Sequence, residues 1–318
     1  MRIFVAGATG AIGRSLIPKL VAGGHSVSGL TRKKENSAFI RTLGAEPFVT
    51  DGLDREAVCV AVTRAEPDVI VHEMTDLAGA SDLRHFDRTF AVSNRLRTEG
   101  TDNLLTAARA SGVARLIAQS FCGWPFARTG ATVKSEADAL DPSPPRQLLR
   151  TLEAIRYLEA AVTGAGRPAG IVLRYGTFYG PGTGLFDHGF AEQIRRRRVP
   201  LIGDGGGWWS FVHIDDAAAA TVLAIERGKP GEIYNIADDD PAPVKDWLPA
   251  LAAMLGAKPP LHLPAWLARV VAGQHLVTMM TETRAASNAK ARRCLGWEPA
   301  HHSWRDGFAE IVGLEHRQ

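Results

Sequence analysis

Cysteine is scarce in this chain: Cys59, Cys122 and Cys294 are the whole complement, and no two stand at Cys-x-x-Cys spacing. That excludes a disulfide framework and a cysteine-held metal centre, and points to reduced, structural thiols in a cytoplasmic protein. Charge of one sign is also in short supply. With 37 Lys+Arg against 34 Asp+Glu the balance is +3, too small to argue for nucleic acid. No apolar run reaches membrane-spanning length. The first strand-like run begins at residue 2, which leaves no room for a signal peptide. Tyrosine is rare, with four residues at 157, 175, 179 and 234. Repeats and low-complexity tracts are absent. Apolar residues, at 45%, are plentiful enough for a large core in 318 residues, as one large or two fused domains.

Glycine is placed with a purpose at the N-terminus. Arg2–Ala6 is a β-favouring run, Gly7, Gly10 and Gly13 follow, and a helical pattern begins by Ser15. A strand that runs into a Gly-rich turn and a helix aims backbone N–H groups and a helix N-terminus at one spot. A pyrophosphate suits that spot, and the strand–turn–helix context is what makes the spacing informative. Gly7, Thr9, Gly10, Ala11, Ile12 and Gly13 are therefore candidate cofactor-binding residues.

A second strand, His25–Thr31, follows the first helix. A dinucleotide fold puts the adenosine ribose at its end, where an acidic residue would favour NAD. Arg32 and Lys33 stand there instead. A guanidinium can grip a 2′-phosphate that a carboxylate would repel, which favours NADP(H); the alternative is a solvated loop. Asp51, Gly52 and Leu53 follow the next strand, with Asp51 the better ligand and Asp54 the better cap for a helix over 55–65. Asp68–His72 reads as a buried strand that delivers Met74 and Thr75 to the edge where ligands of parallel sheets gather. A long helix is expected over 87–111, a strand over Ala114–Ala118 ahead of Gln119 and Ser120, a helix over 147–163 and a strand over Ala169–Arg174. This alternation predicts an α/β fold, a doubly wound parallel sheet covered on both faces. Beyond it the chain turns rich in Gly and aromatics, which predicts a smaller substrate lobe. The expected boundaries are 1–175 with 209–238 for the dinucleotide domain, and 176–208 with 239–318 for the lobe.

Taken in order, Gly7–Gly13, Asp51–Asp54, Asp68–His72, Gly100–Leu105, Arg174–Gly182, Phe211–Asp216 and Leu295–Pro299 resemble the extended short-chain dehydrogenase/reductase family, the NAD(P)-dependent epimerases and dehydratases. The resemblance covers nearly the whole chain. It implies a Rossmann sheet, a bound NAD(P) and a Tyr-x-x-x-Lys pair in which the Lys lowers the phenol pKa. No such pair exists here. Aligning Glu159 with the acidic residue that follows the family's Lys puts Ile155 in the Lys slot and Thr151 in the Tyr slot. Tyr157 would lie ~200° around the helix from Ile155, facing away.

Two other residues are candidates for the catalytic role. Ser120 matches the family's catalytic Ser/Thr, or else bonds a strand-end carbonyl. Tyr175 matches a residue beside the nicotinamide, and either donates to a substrate oxygen or packs on the ring. Arg97 falls in the slot of the family's active-site Asn, with Asn94 one turn earlier. Nucleotide-sugar members hold the diphosphate with an Arg where this chain has Trp209, and the Asn that the family places after Arg-Tyr-Phe is Thr177 here. An indole cannot neutralise a diphosphate. Trp124, Phe126, Phe186, Trp208 and Trp209 instead suggest a slot for a planar or aliphatic substrate. Arg195–Arg198 reads as a solvated helix end, and His72, His213 and His301–His302 as non-catalytic, with no metal site.

The resemblance implies an NADP(H)-dependent oxidoreductase acting on a carbonyl, alcohol or activated alkene in a small, largely apolar metabolite. A redox-neutral isomerase or dehydratase is the alternative, and a non-catalytic NADP sensor the third. A homodimer through helices near 92–111 and 147–163 is implied too. The stripes Leu104, Leu105, Ala108 and Leu148, Leu152, Ile155 would serve it, or would pack on the sheet.

Overall fold

The computed structural model describes residues 1–77, 86–184 and 188–315. Seven strands form the central sheet: β1 (Arg2–Ala6), β2 (Ser26–Thr31), β3 (Glu46–Val49), β4 (Val69–His72), β5 (Arg115–Phe121), β6 (Ala169–Tyr175) and β7 (Ile233–Ile236). Their spatial order is β7-β6-β5-β4-β1-β2-β3, and every neighbouring pair is parallel. The order reverses between β1 and β4, so a crevice opens at the carboxyl ends of these two strands.

Side chains alternate across the sheet with period two. Ile3, Val5, Val71, Ile117 and Leu173 face α1 (Ala11–Ala22) and α5 (Ile214–Arg227). Phe4, Ile70, Leu116 and Val172 face α2 (Arg55–Ala65), α3 (Thr101–Ala110) and α4 (Arg146–Thr163). Leu104, Leu105 and Ala108 are spent on that second layer, and Leu152 and Ile155 are buried too. Tyr179, Phe211, Trp247, Trp304 and Phe308 pack together in a third core.

Two expectations need correcting. The helix expected over 87–111 is broken into Phe86–Thr89, Ala91–Arg95, a π turn at Leu96–Gly100, and α3. His72 is the physical partner of the break: its Nε2 lies 3.3 Å from Leu96 O and 3.1 Å from Thr101 Oγ1. The carboxy-terminal segment is not all lobe. Ala291, Leu295 and Trp297 return to the core under α5, and Trp297 Nε1 donates to Asp216 O at 3.1 Å. Among the described residues, no helix is long and apolar enough to cross a membrane.

Candidate functional site

β1 runs straight into Gly7, whose φ of +105° only glycine adopts readily. A Cβ there would lie 2.6 Å from the carbonyl of Glu73, so the turn sits directly on the backbone that leaves β4. Gly13 is as tight: its Cβ would meet Gly7 O at 2.5 Å. Gly10 caps α1 with no side chain on the cap, and the first turn of α1 carries no acidic residue. The helix N-terminus is thus free of built-in anions where its dipole favours one.

This turn opens into a cleft of about 860 Å³. Gly7, Thr9 through Gly13, Arg32, Lys33, Asp51, Gly52, Leu53, Met74 and Thr75 all line it. At the β2 end, Arg32 Nη2 reaches Asp76 Oδ1 at 2.6 Å, and Asn36 donates to Thr31 Oγ1 at 3.2 Å. Asp51 accepts from Leu53 N at 3.0 Å, while Asp54 caps α2 through Ala57 N. Asn103 donates to Gly52 O and ties this loop to α3. His72 pins the opposite wall. Its Nδ1 accepts from Met74 N, and burial pushes its pKa down to about 4, so the ring stays neutral.

The other end of the cleft departs from expectation. Ser120 points away from it, to donate to Glu159 Oε1 at 2.7 Å. Glu159 is in turn held by Arg174 through two bonds of 2.7 and 2.6 Å. Ser120 is therefore the third member of a buried ion-paired group between β5, β6 and α4, and not free to hold a substrate oxygen. Tyr175 is fully buried against α5, with Oη 2.7 Å from Thr221 Oγ1. It is a core phenol, closed to substrate. The residues that do face the cleft here are Gln119, which the sequence places at this strand end without a site role, and Phe178, which sequence reading misses. The signal was available for Gln119, because period-two alternation puts it on the face opposite Ser120.

Thr151 and Ile155 are both buried on α4. Asn94 Nδ2 donates to Thr151 Oγ1 at 3.0 Å, and Arg97 Nη1 donates to Asn94 Oδ1 at 3.1 Å. Burial pushes the Arg97 guanidinium down to about 10. Tyr157 faces outward, with its hydroxyl on Asp102. Cys122 is an inert thiol, pushed up to about 12 by burial.

One helical turn before Thr151, Leu148 joins an apolar cluster with Phe86, Phe90, Trp124, Trp209 and Met279. Phe86 and Phe90 stack at 4.1 Å, and Trp124 meets Phe86 edge-on at 5.9 Å. Trp209 Nε1 is satisfied by Met279 O. Trp124 and Trp209 are thus brought together. Trp208 is not part of this cluster; it pairs with Pro243 in a short ribbon. Thr177 pairs with Phe211, and Phe126 is buried elsewhere, 5.5 Å from the Arg174 guanidinium. Phe186 lies outside the described residues.

The sequence model of the NAD dependent epimerase/dehydratase family matches residues 3–237. The chain belongs to that family. A 3-diazoavenalumate denitrifying reductase from a Streptomyces species is 44% identical over 314 residues, covering 97% of this chain and 99% of the relative. A 4-hydroxy-2-methyl-3-oxo-4-farnesyl-3,4-dihydroquinoline-1-oxide ketoreductase from Stigmatella aurantiaca is 29% identical, covering 86% of this chain and 79% of its own. Among solved structures, Thermotoga maritima UDP-glucose 4-epimerase with UDP-glucose superposes with a TM-score of 0.78 at 22% identity, covering 100% of this chain and 99% of that one. Thermus thermophilus UDP-glucose 4-epimerase in complex with NAD gives 0.75 at 24% identity, covering 98% of each. These two share the fold. Family and relatives together make this an enzyme of the short-chain dehydrogenase/reductase type, built around a nicotinamide cofactor.

The glycine cradle fits that cofactor, since a Cβ at Gly7 or Gly13 would strike backbone. Metal ligation is a different matter. Against expectation, His301 does have partners: His213, Asp216 and His301 bring ligand atoms within 4.8 Å of one another. The arrangement is a packing device. The two rings stack at 3.8 Å and 24°, so their in-plane lone pairs do not converge on one point. His213 Nδ1 already takes Asp215 N–H, and the Asp216 carboxylate takes Ala300 N–H and His301 N–H.

Proposed function

We propose that this enzyme is an NADP(H)-dependent reductase that delivers hydride to a small, planar, electron-poor aromatic substrate, an arene carrying a diazo group in the first instance. The observation that carries the reading is the pair of residues in the Tyr and Lys slots. Thr151 and Ile155 stand there, and Thr151 is committed to Asn94. A ketone needs a proton on its oxygen as hydride arrives, and the phenol–ammonium couple exists to give it. An arenediazonium needs none.

When bound, NADPH supplies one hydride, so that the arenediazonium and NADPH become arene, dinitrogen and NADP⁺ with no proton drawn from the protein. The chain's own task is then to bind, orient and exclude water. Gly7, Gly10 and Gly13 would hold the pyrophosphate, and Arg32 with Lys33 a 2′-phosphate. The apolar cluster of Phe86, Phe90, Trp124 and Trp209 supports a flat, apolar substrate, and Trp209 occupies a position where the family resemblance puts a cation in nucleotide-sugar enzymes. The name of the 44% identical relative supports the diazo class.

The test is NADPH oxidation followed across a panel of arenediazonium, enone and ketone substrates. The expected result is turnover with the diazonium, one dinitrogen released per NADPH, tighter binding of NADPH than NADH, and an Arg32→Ala variant in which that preference shrinks about tenfold. Turnover of ketones alone, or cofactor that is needed but never consumed, would overturn the reading.

A further inference from the structure

Arg32 follows β2, Asp76 follows β4, and both line the cleft. β1 lies between those two strands in the sheet, so their carboxyl ends stand about 10 Å apart. The side chains close that distance: Arg32 Nη2 lies 2.6 Å from Asp76 Oδ1. Both ends of the bridge are anchored. Asp76 N donates at 2.9 Å to the Oγ of Ser93, a fully buried residue. Next to Arg32, Thr31 is buried, and its Oγ1 accepts from Lys33 N at 3.3 Å and from Asn36 Nδ2 at 3.2 Å. The pair therefore spans the crevice from two fixed bases. It is also accessible, with 51% of the Arg32 side chain and 29% of the Asp76 side chain open to solvent.

The charges around it are few. Arg14, Arg32 and Lys33 are the cations that line the cleft, and Asp51, Glu73 and Asp76 the acids. Arg14 is drawn to Thr9 O at 2.8 Å, Asp51 accepts from Leu53 N, and Glu73 is buried. Among the described residues of the cleft, Arg32 and Asp76 form the one ion pair. A 2′-phosphate taken up by Arg32 has to share a single guanidinium with this carboxylate. Two anions then face one cation, and their mutual repulsion subtracts from the attraction that draws the phosphate in. A 2′-hydroxyl brings no charge and leaves the pair as it is.

We propose that Asp76 sets the margin by which the site prefers NADPH over NADH: it holds Arg32 across the crevice and competes with the 2′-phosphate for the guanidinium. The inference rests on reading the β2 end as the 2′-phosphate site. It adds that the preference is held below what Arg32 and Lys33 would give with no acid facing them.

The experiment is the Kd of NADPH and of NADH, by calorimetry at low salt, for the intact protein and its Asp76→Asn, Asp76→Glu and Arg32→Ala variants. An ion pair this exposed contributes little to folding, and thermal unfolding verifies that each variant is folded. Asp76→Asn removes the charge and keeps the shape, so NADPH binds about tenfold more tightly while NADH gains less than threefold. Asp76→Glu keeps the charge, and both Kd values stay within about threefold of the intact protein. The idea is overturned if Asp76→Asn leaves the NADPH Kd unchanged or weakens it, or if Asp76→Glu gives the same gain as Asp76→Asn. The reading beneath it is tested separately by Arg32→Ala: a preference that does not shrink there removes the 2′-phosphate site itself. If it shrinks there and Asp76→Asn does not widen it, this inference alone falls.

Discussion

The two ends of the cleft are built by different means. The glycine end is made of backbone: glycines at 7, 10 and 13 whose missing side chains let the turn, α1 and the segment that leaves β4 come together. The end near Gln119 is made of side chains. Ser120 is drawn to Glu159, Tyr175 is sunk against Thr221, and Thr151 with Ile155 is buried on α4. Backbone architecture survives a change of chemistry because it holds a constant ligand. Side-chain architecture is where the chemistry is set.

The sharpest way to separate the two ends is to break each in turn. Glu159→Ala should be the most damaging change, because it strands the buried Arg174 guanidinium. We expect a loss of about 3–5 kcal/mol in chemical denaturation, with unchanged cofactor affinity in whatever remains folded. Acid should act nearly as strongly on the wall between the ends. His72 is neutral when folded, with a pKa of about 4 against 6.5 unfolded, so the unfolded chain binds the extra proton between those values. Stability should therefore be unaffected above about pH 6.5 and fall as pH drops toward 4, by up to about 3 kcal/mol. Denaturant midpoints against pH for the intact protein and a His72→Asn variant would check this, the variant showing the flatter profile.

Gly13→Ala should come next, at about 1–3 kcal/mol, since its Cβ would lie 2.5 Å from Gly7 O. Here the prediction is the reverse of that for Glu159: dinucleotide binding should be lost along with stability. Ser120→Ala should have the smallest effect. Its hydroxyl adds one bond to an ion pair that is already bidentate, so about 1 kcal/mol of stability and less than a threefold change in kcat are expected. A thousandfold fall in kcat would return Ser120 to the catalytic role.

The same contrast explains what could be read from residues alone. Strand–turn–helix spacing placed Gly7–Gly13, and strand ends placed Arg32, Asp51 and Met74, because parallel sheets gather ligands at one edge. Asp54 as the cap of α2 followed from Asp chemistry at a helix start. Ser120 is on the face opposite Gln119 and turns to Glu159, while Tyr175 shares the face of Gln119 but is sunk against Thr221 of α5. Gln119 and Phe178 take the cleft face instead. The π turn at Leu96–Gly100 had no sequence signal of its own, since it depends on His72 arriving from β4. The metal-like grouping of His213, Asp216 and His301 is a product of the chain folding back on α5, across more than eighty positions of sequence.

The central claim is hydride delivery at a site with no proton-donating couple. It is tested most directly by turning over an arenediazonium with NADPH deuterated at the transferable C4 position. The account predicts deuterium at the ring carbon that lost dinitrogen, at one deuterium per NADPH consumed, in the intact enzyme and in Ser120→Ala alike. Product carrying solvent hydrogen at that carbon, with the label retained on the cofactor, would contradict it.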